Sequence, residues 1–102
     1  MTATPTTLAE LRASVDEVDA RIVALLAERR RLVTGLAEAK RAGGLHAVDS
    51  AREAEIEARW REVAAREGLP EEVALAVLRA VLGSSRAHVV ALLARDGGPR
   101  ER

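Results

Sequence analysis

An arginine interrupts the longest apolar stripe in this chain. From Leu8 the apolar residues recur in steps of three and four at Leu8, Leu11, Val15, Val18, Ile22 and Leu25. Arg29 takes the next place before Leu32 and Leu36 resume. Such spacing draws one stripe along a helix, so Arg29 faces a packed interior rather than water. An unpaired buried charge costs several kcal/mol, which requires an anionic partner: a carboxylate of this protein or a carboxylate of something it binds. Lys40 lies eleven residues on, about three turns at ~3.67 residues per turn, and shares the face of Arg29. At roughly 16 Å between their Cα atoms, the two long side chains leave room for a small dianion. Arg12, beside Leu11, lies at the edge of the stripe, and Arg30 and Arg31 point elsewhere as solvated residues. Further along, Asp49, Arg52 and Glu53 fall within one turn, and Ser85 interrupts a second apolar stripe. Each also has a structural reading. Asp49 and Glu53 suit a helix N-cap and its capping box, Ser85 suits a bond to its own helix, and Arg12 and Lys40 suit an ordinary surface.

These residues must be positioned by helices, since no stretch alternates with a period of two. Thr7 followed by Glu10 is a capping-box signal, and no breaker appears before Gly43-Gly44. The first helix therefore spans about 36 residues, roughly 54 Å, against a diameter of ~30 Å for a domain of this size. Its apolar stripe needs a cover that one chain cannot supply, and a second copy is the simplest one, so a homodimer with the long helices packed on each other is expected. After the connector 43–48, a second helix starts at Asp49 or Ser50, with Ser50 and Glu53 as a capping box, and its inward face reads Ile56, Trp60, Val63, Ala64. Gly68 suits the C′ position, and Pro70 with Glu71 and Glu72 opens a third helix whose stripe is Val77, Leu78, Val81, Leu82, Ser85, Val89, Leu92. The expected organisation is a disordered 1–6, one helical domain over 7–95 and a flexible tail over 96–102. The fold class is all-α: three helices, the first very long, entwined as a dimer.

Composition removes other chemistries. The 102 residues carry 16 basic and 16 acidic side chains, interleaved, so no net field favours nucleic acid or an anionic membrane. Cysteine is absent, excluding disulfides and thiolate catalysis, and His46 and His88 are too few for a metal site. Trp60 is the one aromatic residue, which argues against stacking on single-stranded nucleic acid. No apolar run approaches the ~20 residues of a membrane span, and the start lacks a signal-like core, so a soluble cytoplasmic protein is expected.

The ordered set Leu11-Arg12, Val15-Asp16, Val18-Asp19, Leu25-Leu26-Ala27-Glu28-Arg29-Arg30, Ala39-Lys40, Val48-Asp49, Arg52-Glu53, Gly68-Leu69 and Ser84-Ser85 resembles the all-helical (type II) chorismate mutases over about 90 residues. The resemblance implies an entwined dimer in which each site draws on three helices of one chain and the first helix of the other. It implies that Arg29 and the other copy's Arg12 each hold a carboxylate of chorismate, and that Lys40 reaches the ether oxygen and a carboxylate. Asp49 and Glu53 would meet the ring C4 hydroxyl, with Arg52 supporting them, and Ser85 would contact substrate. Arg29, Lys40 and Glu53 would be the catalytic members. No cofactor is implied. The rearrangement of chorismate to prephenate transfers no proton and needs no nucleophile. It requires a compact conformer of a dianion and positive charge at the breaking C–O bond.

One position departs from the family pattern. Val89 falls where most members carry Gln or Glu as a second donor to the ether oxygen, and valine donates nothing. A one-residue gap would bring Ser84 and His88 into register instead, at the expense of the core fit of Val77, Leu78, Val81 and Leu82. Three other functions stand as alternatives: a rearrangement of 4-amino-4-deoxychorismate, whose C4 ammonium would suit Asp49 and Glu53; an isochorismate pyruvate-lyase of the same fold, against which that acidic pair argues; and a weakly active regulatory module needing a partner shikimate-pathway enzyme, which Val89 favours.

Overall fold

A computed structural model describes residues 4, 6–43 and 49–97, with the side chains of 41–43 and 96–97 outside the description. The connector residues 44–48 and the tail beyond Gly97 lie outside the described residues. Three helices and no strand occur among those described: α1 (Leu8–Gly43), α2 (Ser50–Glu67) and α3 (Glu71–Gly97). The all-α class follows. The chain divides into two compact units, 1–32 and 33–102.

The first unit holds the start of α1. Its cap is the reciprocal box expected from Thr7 and Glu10. The Glu10 amide donates to Thr7 Oγ1 at 3.1 Å, and the Thr7 and Thr6 amides donate back to Glu10 Oε1 at 3.1 and 3.2 Å. These bonds favour the ionised carboxylate. The Thr7 amide, then the Thr6 amide and the Thr7 hydroxyl, hold the Glu10 carboxyl below its ordinary range. Along the rest of this unit Leu8, Leu11, Val15, Val18, Ile22, Leu25 and Leu32 are between 43% and 64% exposed. A helix cannot bury its own stripe, so in the single chain this apolar surface stays exposed.

The second unit contains every buried residue described: Ala37, Ala64, Ala74, Leu78 and Val89. Three of the five are alanine, and small side chains at a contact let helix axes approach closely. α2 packs on α3. Asp49 is the N-cap of α2, its carboxylate accepting from the Arg52 amide at 3.0 Å and its carbonyl from the Glu53 amide at 2.9 Å. The expected Ser50–Glu53 box gives way to this cap, one residue earlier, which leaves the Glu53 side chain available to α3. α2 stops at Gly68, whose φ of 74° is the left-handed conformation that costs a residue with a Cβ. The Leu69 amide reaches Ala64 O at 2.9 Å and the Gly68 amide reaches Ala65 O at 3.4 Å, a Schellman closure. Pro70 is the residue before α3, its carbonyl accepting from Val73 and Ala74. Arg61 then bridges α2 to the start of α3, pairing with Glu57 at 2.7 Å and Glu71 at 3.4 Å. From α1, Thr34 Oγ1 lies 2.8 Å from His88 Nε2 on α3, both half-buried.

Two expectations about α3 need correction. Its buried face runs through Ala74, Leu78 and Val89, with Val81, Leu82, Ser85 and Leu92 half-buried, whereas Val77 is 49% exposed. α3 is apolar on several faces, so periodicity alone did not fix which one turns inward. For the same reason Glu71–Arg95 is, by length and composition, apolar enough to cross a membrane, contrary to the expectation that no such run exists. Core helices of soluble proteins meet the same criterion. Here Ala74, Leu78 and Val89 are buried, and Arg86 and His88 are tied to α2 and α1.

Two outcomes are expected. Gly68→Ala should lower unfolding free energy by about 1–2 kcal/mol in a urea titration, the cost of forcing a Cβ into left-handed backbone. The Glu10 box should be pH-dependent. Because the folded carboxyl titrates below its unfolded value, its contribution is full above the ordinary glutamate range and is lost as pH falls through the lowered value. Carboxyl-carbon NMR should find Glu10 titrating below the exposed glutamates, and Thr7→Ala, which removes the hydroxyl but keeps both amides, should bring it only part of the way back.

Candidate active site

The residues singled out by the sequence lie on all three helices. Arg12 and Arg29 are on α1 in the first unit, where Arg12 is exposed and Arg29 half-buried. Arg29 is thus more shielded than the apolar residues that share its stripe, and it engages other groups of the protein. Arg30 and Arg31 are exposed, as expected.

The other candidates belong to the second unit. Lys40, near the end of α1, is half-buried. Asp49 caps α2, so one of its carboxylate oxygens is committed to the Arg52 amide. Arg52 turns its guanidinium to Glu55, Nη1 to Oε1 at 3.2 Å, in an exposed i,i+3 pair. One turn of helix therefore carries Asp49, Arg52 and Glu53, and the Arg52 side chain is directed to Glu55. Glu53 leaves its own helix altogether. Its Oε2 lies 3.5 Å from Arg86 Nε on α3, with the two side chains 28% and 37% exposed respectively.

On α3, Ser85 and Val89 are four residues apart on the inward stripe, Ser85 half-buried and Val89 only 8% exposed. Residues i and i+4 overlie on a helix, so the serine hydroxyl and the valine methyls occupy one continuous strip. His88 is on the neighbouring strip and holds Thr34 through Nε2. The choice left between His88 and Val89 thus has a geometric content: the imidazole is engaged with α1, and the position facing inward beside Ser85 is the valine.

Two polar residues that pair between helices beside the candidates escaped the sequence reading. Arg86 is adjacent to Ser85, and its signal was only a charge at the edge of an apolar stripe. Thr34 is a neutral residue 54 positions from its partner, with no local pattern to mark it. Taken unit by unit, the first offers a half-buried guanidinium at Arg29, and the second offers half-buried Lys40, Glu53, Ser85 and Arg86. Cationic and hydrogen-bonding side chains of this kind suit recognition and electrostatic stabilisation of an anionic small molecule.

Comparison with known proteins agrees. The family model for chorismate mutase type II matches residues 11–90. A chorismate mutase of Methanocaldococcus jannaschii is 31% identical over 80 residues, covering 78% of this chain and 81% of the relative. On the span of the family match, the identity to that relative and the three-helix architecture, the chain belongs to the type II chorismate mutase family.

Proposed function

We propose that the protein is a homodimeric chorismate mutase converting chorismate to prephenate at sites shared between two copies. The observation that carries this reading is the family match across residues 11–90, a span that contains every candidate from Arg12 to Val89. The exposed stripe of α1 supports the dimer, since side chains of Leu, Ile and Val each gain roughly 1.5–3 kcal/mol when fully buried.

In this reading Arg29 and the other copy's Arg12 each hold one carboxylate of the dianion and press its side chain over the ring. Bidentate guanidinium–carboxylate pairing suits that task. Asp49 and Glu53 meet the C4 hydroxyl, with Glu53 accepting its one O–H, and Ser85 contacts substrate from α3. As the ether C–O bond breaks and the new C–C bond forms, electron density rises at the ether oxygen, and Lys40 donates to it there. No proton is transferred. Val89 contributes contact without a hydrogen bond, so Lys40 carries the ether oxygen without a second side-chain donor from that position.

The test is incubation of purified protein with chorismate, following loss of its ultraviolet absorbance and identifying the product by NMR. Prephenate above the uncatalysed rate is expected, and an intact dimer with no turnover would overturn the reading. Arg12→Ala and Arg29→Ala proteins should each be folded and lose about 10²–10³ in rate, as when one positioned donor is removed. Refolded together in equal amounts, they should recover about a quarter of wild-type activity, because a statistical half of the dimers would carry one intact site each. No recovery would argue against sharing. Val89→Gln should raise kcat/KM by about tenfold or more if a donor there acts on the ether oxygen. An unchanged or lower rate in a folded variant would remove Val89 from that end of the site.

A further inference from the structure

We infer that Arg86 sets the ring-substituent preference of the site: paired with Glu53 across the α2–α3 packing, it offsets the carboxylate's charge and selects a neutral hydroxyl over an ammonium. The inference rests on the reading that Glu53 meets the substituent at C4 of the substrate ring. The geometry gives Arg86 that leverage. Its Nε lies 3.5 Å from Glu53 Oε2, and this is the one ion pair Arg86 makes among the described residues. The pair is also better shielded than its neighbours on α2. The side chains of Arg52–Glu55 and Arg59–Glu62 are 59–71% exposed, while those of Arg86 and Glu53 are 37% and 28% exposed. Shielding from water strengthens the effect of one charge on another.

A hydroxyl and an ammonium make different demands on Glu53. A hydroxyl donates one hydrogen bond, and a carboxylate already paired with a guanidinium still has lone pairs to accept it. An ammonium adds a full positive charge beside the Arg86 guanidinium, and like charges at close range oppose each other. With Arg86 in place, the amino analogue would meet Asp49 and a Glu53 whose charge is already met. Without it, the ammonium would meet the same N-capping Asp49 and a Glu53 that has lost its guanidinium partner. Arg86 touches Glu53 rather than the reacting atoms, so it is a positioning residue that acts on specificity.

The experiment compares kcat/KM for chorismate and for 4-amino-4-deoxychorismate in the full-length wild type, Arg86→Met and Arg86→Lys. The wild type should prefer chorismate. Arg86→Met should move the ratio toward the amino substrate by about tenfold or more, and Arg86→Lys, which keeps the charge, should stay within about threefold of wild type. A merely structural clasp between α2 and α3 predicts otherwise: both substrates slow together and the ratio does not move. That result, or a shift in Arg86→Lys as large as in Arg86→Met, would overturn the inference while leaving the proposed function intact. Wild-type protein that turns over neither substrate would overturn both. Arg86→Gln, which keeps a donor but not the charge, makes the same comparison in case Arg86→Met does not fold, and should shift the ratio in the same direction.

Discussion

The constraint on which the structure turns is that a helix cannot bury its own apolar stripe. α1 runs for 36 residues, and the stripe residues from Leu8 to Leu32 remain about half exposed in a single protomer. Everything that requires a defined site must be reconciled with that surface. The second unit has a core of its own, but it is made from Ala37, Ala64, Ala74, Leu78 and Val89, and Leu78 is the large side chain at its centre. A core of alanines gives close helix contact and little apolar mass, so it positions side chains well and contributes modestly to stability. The proposed dimer answers both needs with one interaction, covering α1 and bringing the other copy's Arg12 to the site.

The polar contacts of the second unit are arranged to hold α3 from two sides. Glu53 reaches it from α2 through Arg86, and Thr34 reaches it from α1 through His88. Ser85 and Val89 flank those two anchors, Ser85 just before Arg86 and Val89 just after His88, on the strip that the proposed site uses. The side chains that fix the helix are therefore immediate sequence neighbours of those that would face substrate. In the proposed site this arrangement would supply rigidity without a large core, because each anchor is within a turn of the group it would steady.

Local signals were legible in the sequence, and contacts between helices were not. Thr7 with Glu10, Gly68, and the acidic start of α3 each announce themselves within four residues, because capping and chirality act over that range. Asp49 and Ser50 are both good N-caps, so a sequence cannot rank adjacent candidates, and the choice decided whether Glu53 served its own helix or α3. The inward face of α3 was read with Val77 in it, because nothing local distinguishes one apolar face from another on a helix of that composition. The structure buries Ala74 alongside the expected Leu78 and leaves Val77 half exposed. The pairs Glu53–Arg86 and Thr34–His88 join residues more than thirty positions apart, beyond any periodic pattern. Family resemblance supplied what periodicity could not, the order of the cationic residues, but it had no place for Arg86.

In the proposed dimer the half-buried Arg29 would bear on assembly as well as on binding. A stripe made only of Leu, Ile and Val repeats itself every heptad, so two such helices can slide past each other by seven residues and still match apolar to apolar. One guanidinium among them removes that degeneracy, since any slipped alignment sets a charge against hydrocarbon. The residue proposed to grip a carboxylate would thus also act as an index mark, leaving two long and otherwise repetitive helices with a single alignment in which to pair.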